Sequence, residues 1–217
     1  MSEGTSTRLL QAAEQILIDE GVHALTIRRI GAVSGLNPAL VTYHFGSVAN
    51  LLAELCRHNL DPILEGWRPL TARRGAKTLP LDELLTVWLE PLTRPAAFNP
   101  HGRALVVLDE IASHGDSSLS AMLLEAMVGT AARVARLLRP HVPGFGKSEL
   151  RARLRFISAA ALGPPPRNVS RVELTEAART LSTFPFLFAF AKASLTEGMC
   201  AMPRSTPKKR CIAEPTT

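Results

Sequence analysis

Thr26-Ile27-Arg28-Arg29-Ile30-Gly31-Ala32-Val33-Ser34-Gly35-Leu36-Asn37-Pro38-Ala39-Leu40-Val41-Thr42-Tyr43-His44-Phe45-Gly46-Ser47 is the stretch whose reading decides the fold. Thr26 carries a side-chain oxygen suited to accept from an orphan N–H at a helix start, and Ile27, Ile30 and Val33 recur behind it at helical spacing. A short helix is predicted there, interrupted at Gly35, the residue type that most readily takes the left-handed conformation at a helix end. Asn37-Pro38 restarts the chain as a helix, Asn as cap and Pro at the first helical position, where its missing N–H has no intrahelical partner to lose. This second helix is very short, Ala39 to about Phe45. Gly46 ends it, and Ser47 is placed to cap a longer helix through Leu51, Leu52 and Leu55.

Working outward, residues 6–20 read as an amphipathic helix, with Leu9, Leu10, Ala13, Ile16 and Leu17 on one face and Gln11, Glu14 and Gln15 between them. Gly21 is its natural stop. Two short helices joined by a tight glycine turn, with a third in front, describe a helix-turn-helix unit. Downstream, Pro62 predicts a kink or an end in the fourth helix, and the segment Pro69–Lys77 reads as a linker. Helical patterns resume at roughly 80–94, 101–113, 117–140, 148–162 and 171–198, separated by Pro- and Gly-containing breaks. From Met202 the chain is rich in Pro, Ser, Thr, Lys and Arg and reads as a disordered tail. The expected fold is all-α: a three-helix head over 1–50, a larger helical body over 51–200, and a tail over 201–217.

The composition of the 217 residues agrees with this. Hydrophobic residues make up 46% and charged residues 20%, the balance of a globular soluble protein, and Leu and Ala dominate over aromatics at 5%. No apolar core of a secretory signal and no membrane-length apolar run is visible. Cys56, Cys200 and Cys211 are odd in number and lack metal-ligand spacing, so free thiols in a reducing cytoplasm are expected, with no metal and no cofactor. The net charge of +6 permits a nucleic-acid partner, yet residues 1–60 hold four arginines (Arg8, Arg28, Arg29, Arg57) against five acids (Glu3, Glu14, Asp19, Glu20, Glu54). The electrostatic footprint therefore rests on 26–47, which contains no acid at all.

In such a unit the second helix enters the major groove with its N-terminal residues toward base edges. Ala39, Leu40, Val41 and Thr42 offer methyl and hydroxyl groups, while Tyr43 and His44 are suited to donate to phosphates and fix register. Val41 and Phe45 are better read as the core of the small bundle. The stretch from Thr26 through the Leu51–Leu52 pair resembles the DNA-binding head of the TetR family of repressors, over about residues 6–60. The resemblance implies that Thr26 and Arg28 touch phosphates, that Asn37, Pro38, Ala39, Leu40 and Thr42 face the groove, and that Tyr43, His44 and Ser47 hold the backbone. Val48 stands where the family usually has a lysine, so one phosphate contact is missing.

For the body, the resemblance implies a ligand cavity and a homodimer made by the last two long helices. An apolar or amphipathic effector would be lined by Trp67, Trp88, Leu92, Phe98, Val107, Met122, Met127 and Phe156, with His101 and Arg103 anchoring a carboxylate or acyl head; the alternative is ordinary core, with Arg103 a solvated charge. The dimer seam would be Leu150, Leu154, Ile157, Ala161, Leu181, Phe184, Phe188 and Ala191, and the alternative is packing within one chain. Around Leu89–Leu92, His101–Ala104 and Arg155–Gly163 the body also resembles that of the fatty-acid- and acyl-responsive branch of the family. The expected partners are double-stranded DNA bearing a palindromic operator, a small-molecule effector and a second copy, in the bacterial cytoplasm at the nucleoid and with no membrane. The competing class is a helical small-molecule carrier or enzyme that keeps the head for interaction only. Gly144–Ser148 lacks the first glycine of a phosphate-binding loop, Glu110 and His114 read as a surface pair at a helix end, and Lys208–Arg210 as a solvated patch. No catalytic constellation is visible.

Overall fold

The computed structural model describes residues 2–72, 79–114, 117–162 and 183–196. Its first helix, α1 (Ser2–Glu20), stops at Gly21, whose positive φ of 82° lets its N–H turn back onto the carbonyls of Ile16 and Leu17. A short 3-10 turn (Val22–Ala24) leads into α2 (Ile27–Ser34), where Thr26 Oγ1 accepts from the Arg29 N–H at 3.1 Å. Gly35 closes α2 in the left-handed conformation. The Asn37 side-chain oxygen accepts from the Ala39 N–H at 2.9 Å and opens α3 (Ala39–Phe45), and Ser47 Oγ accepts from the Asn50 N–H at the start of α4 (Val48–Ala72). Each boundary falls where a residue able to satisfy an orphan backbone group stands in the sequence.

The remaining described helices are α5 (Leu81–Leu89), α6 (Ala104–His114), α7 (Ser117–Leu138), α8 (Lys147–Leu162) and α9 (Phe184–Thr196), with 3-10 turns at Glu90–Thr93 and Arg139–His141. The fold is all-α; among the described residues the one extended pairing is an isolated bridge between Pro95 and Arg103. One continuous apolar core runs from Leu9, Ile16 and Ile30 in the head through Leu55, Ile63 and Trp67 of α4 to Leu85, Ile111 and Ile157 of the body. No described helix is long and apolar enough to cross a membrane.

Three expectations need correction. Helix α4 does not end at Pro62 but continues to Ala72 with Pro62 and Pro69 inside it, so 69–72 of the expected linker is helical, and 73–77 lie outside the described residues. Both prolines are exposed, so the carbonyls one turn before them, which each ring deprives of a partner, are open to solvent. Residue 50, where the head is expected to pass into the body, lies inside α4. Glu14, expected among the polar positions of α1, is fully buried. Of the 171–198 pattern, 184–196 is helical; Leu181 and the tail over 201–217 lie outside the described residues.

Candidate nucleic-acid interface and ligand chamber

Helix α3 is held from behind and open in front. Val41 is fully buried beneath it, and Leu40, His44 and Phe45 are half-buried, whereas Asn37, Pro38, Ala39, Thr42 and Tyr43 face solvent. Tyr43 is 80% exposed and meets the His44 ring edge-on at 5.0 Å, an aromatic with nothing over its outer face. α2 approaches α3 closely because Gly31 has no side chain; a Cβ there would lie 2.6 Å from Pro38 Cγ.

The two arginines of the motif differ. Arg29 grips Glu20 with both Nε and Nη2, the latter at 2.6 Å, and this carboxylate holds its guanidinium more firmly protonated. Arg28, also exposed, makes no ion pair among the described residues. Thr26 keeps its hydroxyl proton to donate while its oxygen caps α2, and Ser47 sits half-buried at the start of α4. Two supports escaped the sequence reading: Arg8 donates to the Ser34 carbonyl at the end of α2, and the Asn50 amide to the Phe45 carbonyl at the end of α3, each a cap on a short helix.

In the body, a chamber of about 680 Å³ lies among α4 to α8. Trp67, Trp88, Leu92 and Met127 line it, and the Trp67 indole N–H is fixed by the Trp88 carbonyl at 2.9 Å. Leu105, Leu108 and Ala112 of α6 and Leu123 and Leu124 of α7 complete the apolar wall, with Asp109 and the hydroxyls of Ser117, Ser120, Thr130 and Ser158 as its polar points. A wall of this character suits a predominantly apolar ligand with one or two hydrogen-bonding groups.

The other expected lining residues are elsewhere, because helical periodicity does not fix which face meets a cavity. Val107 is buried, but not among the chamber residues, and Met122 is exposed beside the inward-facing Leu123. Phe98 packs edge-on against His58, and His101 is exposed in the loop before α6. Phe156 is 72% exposed on the outside of α8. Arg103 is neither a ligand anchor in the chamber nor a solvated charge: Nη2 donates to the carbonyls of Leu92 and Ala161, stapling α6 to α8, and burial lowers its hold on its proton.

The expected seam is also redirected. Leu150, Leu154, Ile157 and Ala161 of α8 and Ala191 of α9 are buried within the single chain, with Phe184 and Phe188 half-buried and their rings tilted against each other at 5.8 Å. α8 and α9 pack on each other first, through Arg153, which pairs with Glu149, donates to the Ser194 carbonyl and lies over the Phe145 ring. What α8 and α9 leave outside is Phe156, Phe186 and Phe190.

Two comparisons bear on this geometry. The family model for bacterial regulatory proteins, tetR family, matches residues 9–55, which is α1 to the first turns of α4. The HTH-type transcriptional repressor KstR2 of Rhodococcus jostii (strain RHA1) is 25% identical over 108 residues, half of this chain and half of that repressor's own length.

Proposed function

We propose that this chain, a transcriptional regulator with a tetR-family DNA-binding head, acts in the bacterial cytoplasm as a homodimeric repressor of a palindromic operator and is released by a small apolar or amphipathic effector. The observation that carries the reading is α3: Asn37, Pro38, Ala39, Thr42 and Tyr43 point outward from a helix fixed on buried Val41, in a segment without a carboxylate. Two such heads one helical turn apart, about 34–36 Å, would read two half-sites. We assign Thr26, Arg28, Tyr43, His44 and Ser47 to the phosphates and Asn37 to Leu40 and Thr42 to the bases.

The functional division we propose is a head to about residue 50 and an effector-binding and dimerising body to about 200, joined through α4. Effector release follows from the two helices that reach both parts. α4 starts directly after α3 and brings Trp67 to the chamber; α6 lines the chamber with Leu105, Leu108 and Asp109 and holds the head through Glu110. A ligand that fits the chamber better in a conformation with the heads displaced shifts the population to that state; one that fits both equally shifts nothing.

The test is a mobility shift on DNA flanking the gene and on DNA selected from a random library. Wild type is expected to bind selectively, with affinity falling steeply as salt rises. Thr42→Ala is expected to relax sequence preference, and Arg28→Ala to weaken all sequences alike and lower the salt slope by about one phosphate. Absence of salt-sensitive, selective binding by the wild type, with ligand still taken up by the chamber, would return the chain to the carrier class.

A further inference from the structure

The face between head and body holds two carboxylate contacts, one buried and one half-buried, that neither DNA contact nor the effector chamber explains. Glu14, in α1, is 0% exposed, and Asn59, in α4, is 1% exposed. Glu14 Oε2 accepts from the Phe98 backbone N–H at 2.7 Å, and Oε1 accepts from the Asn59 side chain at 2.8 Å; Asn59 in turn accepts from the Ala97 N–H at 3.1 Å. The next residue, Gln15, accepts from the Asn99 side chain at 2.9 Å. On the other side the direction reverses: Glu110, projecting from α6, accepts from the Val22 N–H at 2.9 Å, at the turn that ends α1. Between the two, Ile18 of α1 fills the space that Gly102 leaves; a Cβ on Gly102 would collide with its Cδ1.

We propose that Glu14 and Glu110 are positioning residues for DNA reading, a pair of carboxylates that clamp the head to the body from both sides and so set the angle and separation at which two heads meet the operator. The inference rests on the paired-head reading above. Adhesion alone does not call for such groups. Glu14, a buried carboxylate among N–H donors, holds its partners less strongly than a well-packed apolar side chain of its size would hold the same surfaces. What a carboxylate adds is direction: each oxygen fixes a donor within a few tenths of an ångström and a narrow cone. Backbone N–H groups are among the donors, that of Phe98 to Glu14 and that of Val22 to Glu110, so each carboxylate fixes the main chain of the opposite part of the molecule. That is the requirement for two half-sites, since one base pair of mis-spacing moves a head by about 3.4 Å along the DNA.

The experiment selects an operator with the wild type. Affinity is then measured for that operator, for the same operator with one base pair inserted between the half-sites, and for an isolated half-site. Glu14→Ala and Glu110→Ala are expected to weaken binding to the intact operator by about tenfold while holding half-site affinity within about twofold, and to shrink the penalty of the inserted base pair. Glu110→Gln, whose amide oxygen still accepts from Val22, is expected to keep the wild-type pattern. If Glu14→Ala does not fold, the Ala and Gln variants of half-buried Glu110 decide between them. The proposal is overturned if the Ala variants keep the full spacing penalty, or if half-site and operator affinities fall together with the melting temperature. A wild type that itself shows no spacing preference overturns the paired-head reading, and the inference with it.

Discussion

Glu14 shows how a single residue can look ordinary in the sequence and be placed otherwise by the fold. Its position beside Gln11 and Gln15 marks a solvent face, and only the loop over 97–99, more than eighty residues away, covers it. Desolvation raises its pKa above 4.5, and the N–H donors of Asn59, Phe98 and their neighbours offset this only in part. The folded state therefore holds the proton more tightly than the unfolded chain. The stability associated with the protonated group is fully present below pH 4.5 and is lost as pH rises through the folded value. Glu14→Gln cannot titrate, so the stability of wild type relative to this variant is expected to be greatest below pH 4.5 and to decline toward neutral pH. Urea midpoints for both proteins across that range measure it, and a difference that is flat or grows with pH would refute the assignment. The same lesson applies to Glu110, which reads as one end of a surface pair with His114, whose side chain lies outside the described residues, and which accepts from the Val22 N–H of the head. Long-range partners leave no local signal.

At the level of elements, legibility follows how local the causes are. The head was readable because its boundaries are set by residues acting within three positions: Thr26 on Arg29, Asn37 on Ala39, Ser47 on Asn50, and glycines at positive φ at 21, 35 and 46. The body was not, because Leu and Ala at helical spacing say that a face is buried without saying against what; Val107 and Met122 were put in the wrong phase, and the α8 stripe was assigned to a second chain when α9 already covers it. Pro62 failed differently, since its usual effect is muted on a solvent face. Gly31 gives the element-scale prediction. In an exposed helix interior Gly→Ala is worth about 1 kcal/mol of added stability. Here the new Cβ would stand 2.6 Å from Pro38 Cγ and 3.1 Å from the Leu36 carbonyl, a rigid ring and main chain. Overpacking of that kind costs about 1–3 kcal/mol, so the collision outweighs the helix gain. Gly31→Ala is expected to lower the melting temperature and, by moving α3 off α2, to weaken operator binding more than the stability loss alone explains. A variant as stable as wild type with unchanged affinity would show that the two helices tolerate separation.

For the whole molecule the decisive surface is the one α8 and α9 leave uncovered. Phe156, Phe186 and Phe190 are large, apolar and exposed, while Leu150, Leu154, Ile157, Ala161 and Ala191 are buried inside the chain. Ala152, Ala159 and Ala160 of α8 lie exposed around Phe156, small enough to let a facing helix approach closely. A patch of this kind in a protein whose proposed operator has two-fold symmetry fits an isologous contact, in which the same residues of both copies face each other. Arg151 and Arg155 flank it, so a carboxylate put in the centre would meet cations at the rim, and a charge change alone is an ambiguous probe. The double variant Phe156→Glu/Phe190→Glu removes two anchors from each copy and buries four unpaired carboxylates per dimer, a desolvation the rim arginines do not offset for all of them. Light scattering is expected to give the mass of one chain where wild type gives two. Because the substitutions are on the outside of the fold, the thermal transition is expected to persist, and binding to an isolated half-site to stay near wild type while binding to the full operator collapses toward that half-site level. A double variant that still scatters as a dimer would move the interface off this face, and one that loses half-site binding as well would mean that these aromatics support the head from a distance.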